Sequence, residues 1–337
     1  MIPTLTLKEP PPLDPAWLVH ERTANLLAAK PNITDPIERQ RIYSEICKAR
    51  NTSLLSHQDE ALNDGIFIQD SFIKAPDENH AIPIRCYSHL DSPHDLESKA
   101  AHNTIIYYHG GGLTVGDLDS EDLSCRRISK SLQCTVYSIA YRLMPQHSAD
   151  DALADALTAF HHISHPRRPK NKKVVLVGSS SGGQLAAQVS QLARKSNDDK
   201  SGQSRIDGVL LRCPVTCDAA NLPARFRDAH VSMDGAWYTS LLSAPALTVE
   251  NRTGEKLPLE EEDLRGLPRH WVQVCTNDVY YSDGVCYVEA LRERGVDVRV
   301  DMVVGWPHTF WLKAPRLERA VEAEREMVEG LRWLLEG

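Results

Sequence analysis

From residue 66 onward the chain alternates short apolar runs with longer amphipathic stretches. The segments IFIQDSFI (66–73) and AIPIRCYS (81–88) alternate apolar and polar positions, the period of two expected of a half-exposed antiparallel pair. TIIYYH (104–109), TVYSIAY (135–141), VVLV (174–177), GVLLRC (208–213), HWVQVC (270–275) and DVRVDMVV (297–304) are mostly continuous apolar runs, as parallel strands covered on both faces would be. Helical patterns fall between them, near 120–132, 150–164, 181–195, 283–294 and 315–335. The alternation predicts an α/β class: a mostly parallel, eight-stranded, doubly wound sheet with helices on both faces.

Two regions break the rhythm. Residues 14–60 read as two or three helices, the second opening at TDPIERQ with a capping Thr or Asp and Pro36 in its first turn. Residues 214–268 separate two strands by more than one crossover needs; MDGAWYTSLL within them reads as helical, and ENRTGEKLPLEEEDLRG as polar and turn-rich. Both are expected to form a helical cap over the C-terminal edge of the sheet, where open α/β sheets place their sites. The expected division is an N-terminal cap segment at 1–60, core at 61–213, a cap insertion at 214–268 and core again at 269–337. The acidic run at 260–263 reads as a solvated turn.

Composition narrows the function classes. With 337 residues, 42% of them hydrophobic, the chain can bury a sizeable core without staples. Its net charge is −8 with Lys and Arg dispersed, which argues against nucleic-acid or membrane-surface partners. No run approaches the roughly 18 apolar residues of a spanning helix. MIPTLTLKEPPPLDPAW lacks the basic start and apolar stretch of a signal peptide. The eight cysteines are scattered, and the closest pair, Cys213 and Cys217, has no partners at zinc-like spacing. The expectation is free thiols, no metal, no organic cofactor and a cytoplasmic location.

The chemistry concentrates in VVLVGSSSGGQLAA (174–187). A G-x-S-x-G nucleophile needs glycine two positions before and two after, and of three consecutive serines only Ser180, between Gly178 and Gly182, satisfies this. Ser179 has Val177 two positions before it, and Ser181 has Ser179. The preceding apolar strand and following helical pattern supply the strand–turn–helix context, with the helix N-terminus directing positive potential at the site. A second motif, His109-Gly110-Gly111-Gly112, ends an apolar strand 71 residues earlier. Backbone N–H groups of Gly111 and Gly112, with that of Ser181, would form an oxyanion hole.

HGGG, then YRLMP (141–145), then G-x-S-x-G-G resembles the hormone-sensitive-lipase-like family of α/β-hydrolases, which includes bacterial and fungal esterases and plant carboxylesterases. HGGGLTVGDLDSED is similar to the stretch around that family's oxyanion loop, and YRLMPQHSADDALADA to its Tyr-Arg-Leu-Ala-Pro-Glu segment. The resemblance runs from about residue 66 to 335. It implies an α/β-hydrolase fold and a triad in the order Ser, acid, His. Two carboxylates follow the strand HWVQVC. The family's Asp-Pro-Leu-x-Asp-Glu-Gly spacing to Gly284 matches Asp278, whereas Asp283 looks like a helix-start residue. Among 14 histidines, His308 in GWPHTFW follows the last strand, and Pro307-His308-Thr309-Phe310 matches the family's Pro-His-Gly-Phe except at Thr309. His161, His162 and His165 are expected to face solvent.

The implied activity is a carboxylic-ester hydrolase acting on a small to medium ester, lactone, thioester or polyketide-like molecule, with Leu113, Trp237, Tyr238, Trp306 and Trp311 as candidate pocket walls. The resemblance leaves two other readings: triad-based cyclisation or carbon–carbon bond chemistry on a natural-product intermediate, and a ligand receptor of the plant-hormone kind. Membership of a fungal secondary-metabolism pathway and a homodimer are further expectations. Ser179, Ser181 and Gln146 depart from the family's usual Asp or Thr, Ala and Glu. Leu113 stands where an aromatic often follows HGGG, and Val279-Tyr280 replace Pro-Leu.

Overall fold

Residues 5–28, 33–75, 80–89, 103–164, 172–197, 205–218, 220–232, 237 and 256–336 are described in a computed structural model. Their strands are β1 (Phe67–Lys74), β2 (Ala81–Ser88), β3 (Thr104–Tyr108), β4 (Thr135–Ile139), β5 (Val174–Ser179), β6 (Gly208–Arg212), β7 (Arg269–Cys275) and β8 (Val298–Val303). They form one eight-stranded sheet in the order β1-β2-β4-β3-β5-β6-β7-β8. β2 runs antiparallel to β1 and to β4, and all remaining pairs are parallel. The principal helices are α1 (Pro15–Thr23), α2 (Pro36–Leu55), α3 (Asp122–Leu132), α4 (Ala149–Ile163), α5 (Ser181–Asn197), α6 (Tyr281–Glu293), the single turn α7 (Phe310–Lys313) and α8 (Glu318–Glu336).

The apolar runs of the inner strands have a physical cause. Along β3, Ile105 and Tyr107 point into a core with Cys125 and Ile128 of α3 and Met327, Leu331 and Leu334 of α8. Their neighbours Ile106 and Tyr108 point into another core with Ala156 and Phe160 of α4 and Leu185 and Val189 of α5. β5 divides in the same way, Val175 and Val177 to one side, Val174 and Leu176 to the other. A strand sandwiched between two helical layers must be apolar at every position. β8 lies at the sheet edge, where the requirement relaxes: Val298 and Val303 are buried, while Arg299 and Met302 are exposed.

Local signals set the helix ends. Asp35 caps α2 by accepting from the Ile37 N–H at 3.0 Å, with Pro36 at the first position. Ser148 and Asp151 make a reciprocal capping box at α4. The helix expected in MDGAWYTSLL lies outside the described residues except for Trp237. Residues 256–268, which the sequence reading assigned to the cap insertion, lie against α5. Gln188 and Gln191 donate to the carbonyls of Lys256 and Pro258, both at 2.9 Å, and Leu257, Leu259 and Leu264 are buried. The run at 260–263 is accordingly not wholly solvated: Glu261 is buried and pairs with Lys195.

Candidate active site

β5 ends in Ser179, α5 begins at Ser181, and the whole reversal falls on Ser180, which adopts φ 55°. A left-handed conformation at a non-glycine residue costs about 1–3 kcal/mol and persists only where its surroundings impose it. The surroundings are backbone: the Ser180 N–H donates to the Arg212 carbonyl at 2.8 Å, and its carbonyl accepts from Gln184 and Val215 at 3.1 and 3.3 Å. The two glycines are required by contact. A Cβ on Gly178 would collide with the Gly182 carbonyl, and one on Gly182 with the carbonyls of Tyr108 and His109 at the end of β3.

His308 lies on the loop between β8 and α7. Its Nε2 is 2.8 Å from Ser180 Oγ, and its Nδ1 is 2.7 Å from Asp278 Oδ2. The carboxylate of Asp278, fully buried in the turn after β7, also accepts the Tyr280 N–H on Oδ1 at 2.8 Å. The Tyr280 ring meets the His308 ring edge-on at 5.2 Å, and Lys313 and Thr309 donate to the His308 carbonyl at 2.7 and 2.8 Å. Burial pushes the imidazole toward neutrality, but the Asp278 charge and hydrogen bond, assisted by the neighbouring Cys213, raise its pKa to about 9. The structure thus brings Ser180, His308 and Asp278 into one hydrogen-bonded row. Asp283 is five residues too far along and faces elsewhere.

The loop after β3 turns through three left-handed residues, Gly111 (φ 125°), Gly112 (φ 65°) and Leu113 (φ 57°). Among the described residues, no partner accepts the N–H groups of Gly111, Gly112 or Ser181. The Leu113 N–H donates to Ser181 Oγ at 3.3 Å, tying this loop to the turn that carries Ser180. His109 stands outside this hydrogen-bonded row: it is fully buried, stacked on Tyr141 at 4.3 Å, and lowered in pKa by that burial. Helix α2 grips the far side of the loop. Gln40 Nε2 donates to the carbonyls of Thr114 and Met144 at 3.0 and 3.2 Å, Asn51 Nδ2 to that of Asp119 at 2.7 Å, and Ser44 to the Asp117 carboxylate. Gln146 meets Gln40 amide to amide at 3.1 Å. The N-terminal residues carry no motif that announces these contacts.

The aromatic candidates divide. Trp306 packs on Trp17 of α1 and Phe310, and Trp311 lies under the Arg212 guanidinium at 3.7 Å; both belong to a buried cluster. Both rings are therefore packed inside the protein on these partners. Trp237 donates from Nε1 to the Thr276 carbonyl at 3.1 Å and stacks on Tyr281, bracing the turn that holds Asp278. Leu113 is buried with its carbonyl accepting from Met144. Tyr238 and His165 lie outside the described residues, and His161 and His162 are exposed.

Beneath Ser180 is a charged layer that the sequence pattern did not disclose. Arg212, fully buried at the end of β6, donates to Glu324 of α8 at 2.6 Å and to Gln273 at 2.9 Å. Glu324 also accepts from Ser124 and Arg127. Alongside, the Tyr107 hydroxyl donates to Glu121 at 2.8 Å and lies 3.0 Å from Ser179 Oγ.

Comparison with known proteins follows the same geometry. A family profile described as the alpha/beta hydrolase fold matches residues 105–312. Esterase LipI of Mycobacterium tuberculosis is 28% identical over 256 residues, covering 73% of this chain and 77% of LipI. Versiconal hemiacetal acetate esterase of Dothistroma septosporum is 26% identical over 239 residues, 67% of this chain and 72% of that protein. The crystal structure of vibralactone cyclase superposes with a TM-score of 0.79 at 24% identity, covering 99% of this chain and 98% of the other, a likeness of fold.

Proposed function

Because the chain belongs to the hormone-sensitive-lipase-like branch of the α/β-hydrolase fold family and is a carboxylic-ester hydrolase, we propose that it cleaves its ester through a covalent acyl-enzyme on Ser180. The observation that carries this reading is the pair of hydrogen bonds on one imidazole, 2.8 Å to Ser180 Oγ and 2.7 Å to Asp278. Neutral His308 takes the hydroxyl proton on Nε2 as Oγ attacks the acyl carbon. Asp278 holds the other nitrogen protonated and stabilises the imidazolium that forms. The oxyanion of the tetrahedral intermediate is received by the N–H groups of Gly111, Gly112 and Ser181, each donor lowering the barrier by about 2.7–4 kcal/mol. Collapse expels the alcohol, which leaves with the proton from His308. Water, deprotonated by the same imidazole, then attacks the acyl group and frees Ser180.

The substrate class proposed is a small to medium hydrophobic ester, lactone or thioester. The versiconal hemiacetal acetate esterase among the relatives supports a natural-product ester in this class. Among the described residues, no helix is long and apolar enough to cross a membrane.

Intact-mass analysis after fluorophosphonate treatment tests the reading. The wild-type chain is expected to gain one adduct and Ser180→Ala none, with hydrolysis of a short-chain p-nitrophenyl ester lost in the same variant. A folded wild type that takes no adduct would overturn the acyl-enzyme. An adduct without turnover of any ester or lactone would favour cyclisation or another non-hydrolytic use of the triad.

A further inference from the structure

A second constellation of reactive side chains lies away from Ser180. Thr216 and Cys217 follow β6, His230 belongs to segment 220–232, and Asp283 is in the first turn of α6; the three ligand-bearing side chains, Cys217, His230 and Asp283, are all buried. His230 Nε2 is 2.7 Å from Asp283 Oδ1 and 3.3 Å from Cys217 Sγ, and Sγ is 3.9 Å from Asp283 Oδ2. All three potential ligand atoms lie within 4.8 Å of one another.

Hydrogen bonding satisfies only part of this arrangement: Nε2–H can donate to Asp283 Oδ1 at 2.7 Å, which leaves the thiol a long contact of 3.9 Å to Oδ2. A ring nitrogen carries either a hydrogen or a lone pair, so Nε2 cannot donate to the carboxylate and accept from the thiol at once. This is also not a relay of the Ser180 kind, since the acid and the sulfur address the same nitrogen. Asp283 is oriented from behind: its Oδ2 accepts the N–H groups of Thr216 and Cys217 at 2.7 and 3.2 Å, which leaves Oδ1 facing His230. A carboxylate fixed by backbone donors on one oxygen, with the other turned toward an imidazole, has the outer-shell support of a metal ligand. Asp283 makes no cap on α6.

The geometry points to a zinc-type metal site formed by Cys217 Sγ, His230 Nε2 and Asp283 Oδ1, with a fourth position for water. In a tetrahedral zinc centre such atoms stand about 3.4–3.6 Å apart. The sulfur–nitrogen distance of 3.3 Å already fits, and the nitrogen–oxygen distance of 2.7 Å would open by a side-chain adjustment of under about 1 Å. Thiolate, imidazole and carboxylate together suit a borderline-soft divalent ion. Binding would release the thiol proton, the metal replacing it on sulfur while Nε2 coordinates through its lone pair. The neighbouring set of Cys213, Asp278 and His308 is not equivalent, because both nitrogens of His308 are engaged and Cys213 Sγ rests on Cys275 Sγ at 3.4 Å. A metal at the first set would clamp segment 220–232 to the turn that carries Asp278. The existing bonds between Ser232 and Ser282, and from Ser232 Oγ to the Val279 carbonyl, bind the same two segments.

The test uses the full chain, stripped with a chelator and titrated with cobalt(II). One equivalent is expected to produce a near-ultraviolet thiolate-to-cobalt band and the intense visible bands of a tetrahedral ion. Cys217→Ser should abolish the thiolate band, and His230→Ala should weaken binding at least tenfold. Zinc should raise the melting temperature of the wild type and leave that of Cys217→Ser unchanged. Absence of a thiolate band in the folded wild type would overturn the proposal, as would a band that persists in Cys217→Ser. Neither outcome depends on the behaviour of His230→Ala or on esterase activity.

Discussion

In the proposed mechanism His308 is the base, and its readiness is set by its neighbour Asp278. With its pKa raised to about 9, the imidazolium predominates at neutral pH and the basic form grows as pH rises. The proposed mechanism therefore predicts that kcat/KM climbs with pH up to about 9. In Asp278→Asn that limb should move toward the ordinary histidine pKa of about 6.5, with kcat falling about 10⁴-fold. A pH–rate profile of both proteins, together with an NMR titration of the imidazole, measures this. Folding is linked to the same group: a pKa raised in the folded state contributes stability that is complete below about pH 6.5 and is lost as pH rises through about 9. At the turn itself, Gly182→Ala is expected to abolish folding or displace Ser180, because the added methyl meets the rigid backbone of β3 and not a mobile side chain. Activity at wild-type level in that variant would contradict the packing described.

Between elements, the most consequential contact is the one between β6 and α8. Removing one partner of a buried, hydrogen-bonded ion pair leaves a bare charge in the interior and costs about 3–5 kcal/mol. Glu324→Ala should therefore lower stability by that amount in urea denaturation, strand Arg212 over Trp311, and loosen the carbonyl that holds Ser180. This layer also shows where sequence reading stops. The strands could be read because each residue of β3 and β5 obeys a local rule, burial on alternating faces. The Ser180 turn could be read because its glycines stand two residues to either side. Arg212 looks like the polar end of an apolar run, and nothing near it announces that Glu324, far along the chain, will meet it inside the protein. The packing of the aromatics beside His308 is hidden for a related reason: Trp306 and Trp311 meet Trp17 and Arg212, distant partners that composition does not display. Cys217, His230 and Asp283 escape spacing rules for the same cause, coming from three segments that only the β6 and β7 crossovers bring together.

At the scale of the whole molecule, the N-terminal residues pack against the candidate site. Helix α2 holds the loop carrying Gly111 and Gly112 through Gln40, Ser44 and Asn51, and α1 lodges Trp17 against Trp306 near His308. Gln40→Ala is expected to reduce kcat by about tenfold or more with KM little changed, since in the proposed mechanism the loop's N–H groups act on the transition state and an oxyanion donor is worth about 10²–10³-fold. A deletion ending before residue 60 should lose activity and expose apolar surface, which dye binding would report. The burial of the cysteines has a practical corollary. All eight are free and inside the protein, and burial raises thiols such as Cys134, to about 12, and Cys213 above their ordinary range. Maleimides should therefore leave the native chain almost untouched. A cysteine placed at Val19, 52% exposed on α1, would be the one fast-reacting thiol. A fluorophore or spin label could be attached there without first stripping the protein of its own sulfur, to report whether α1 moves during turnover.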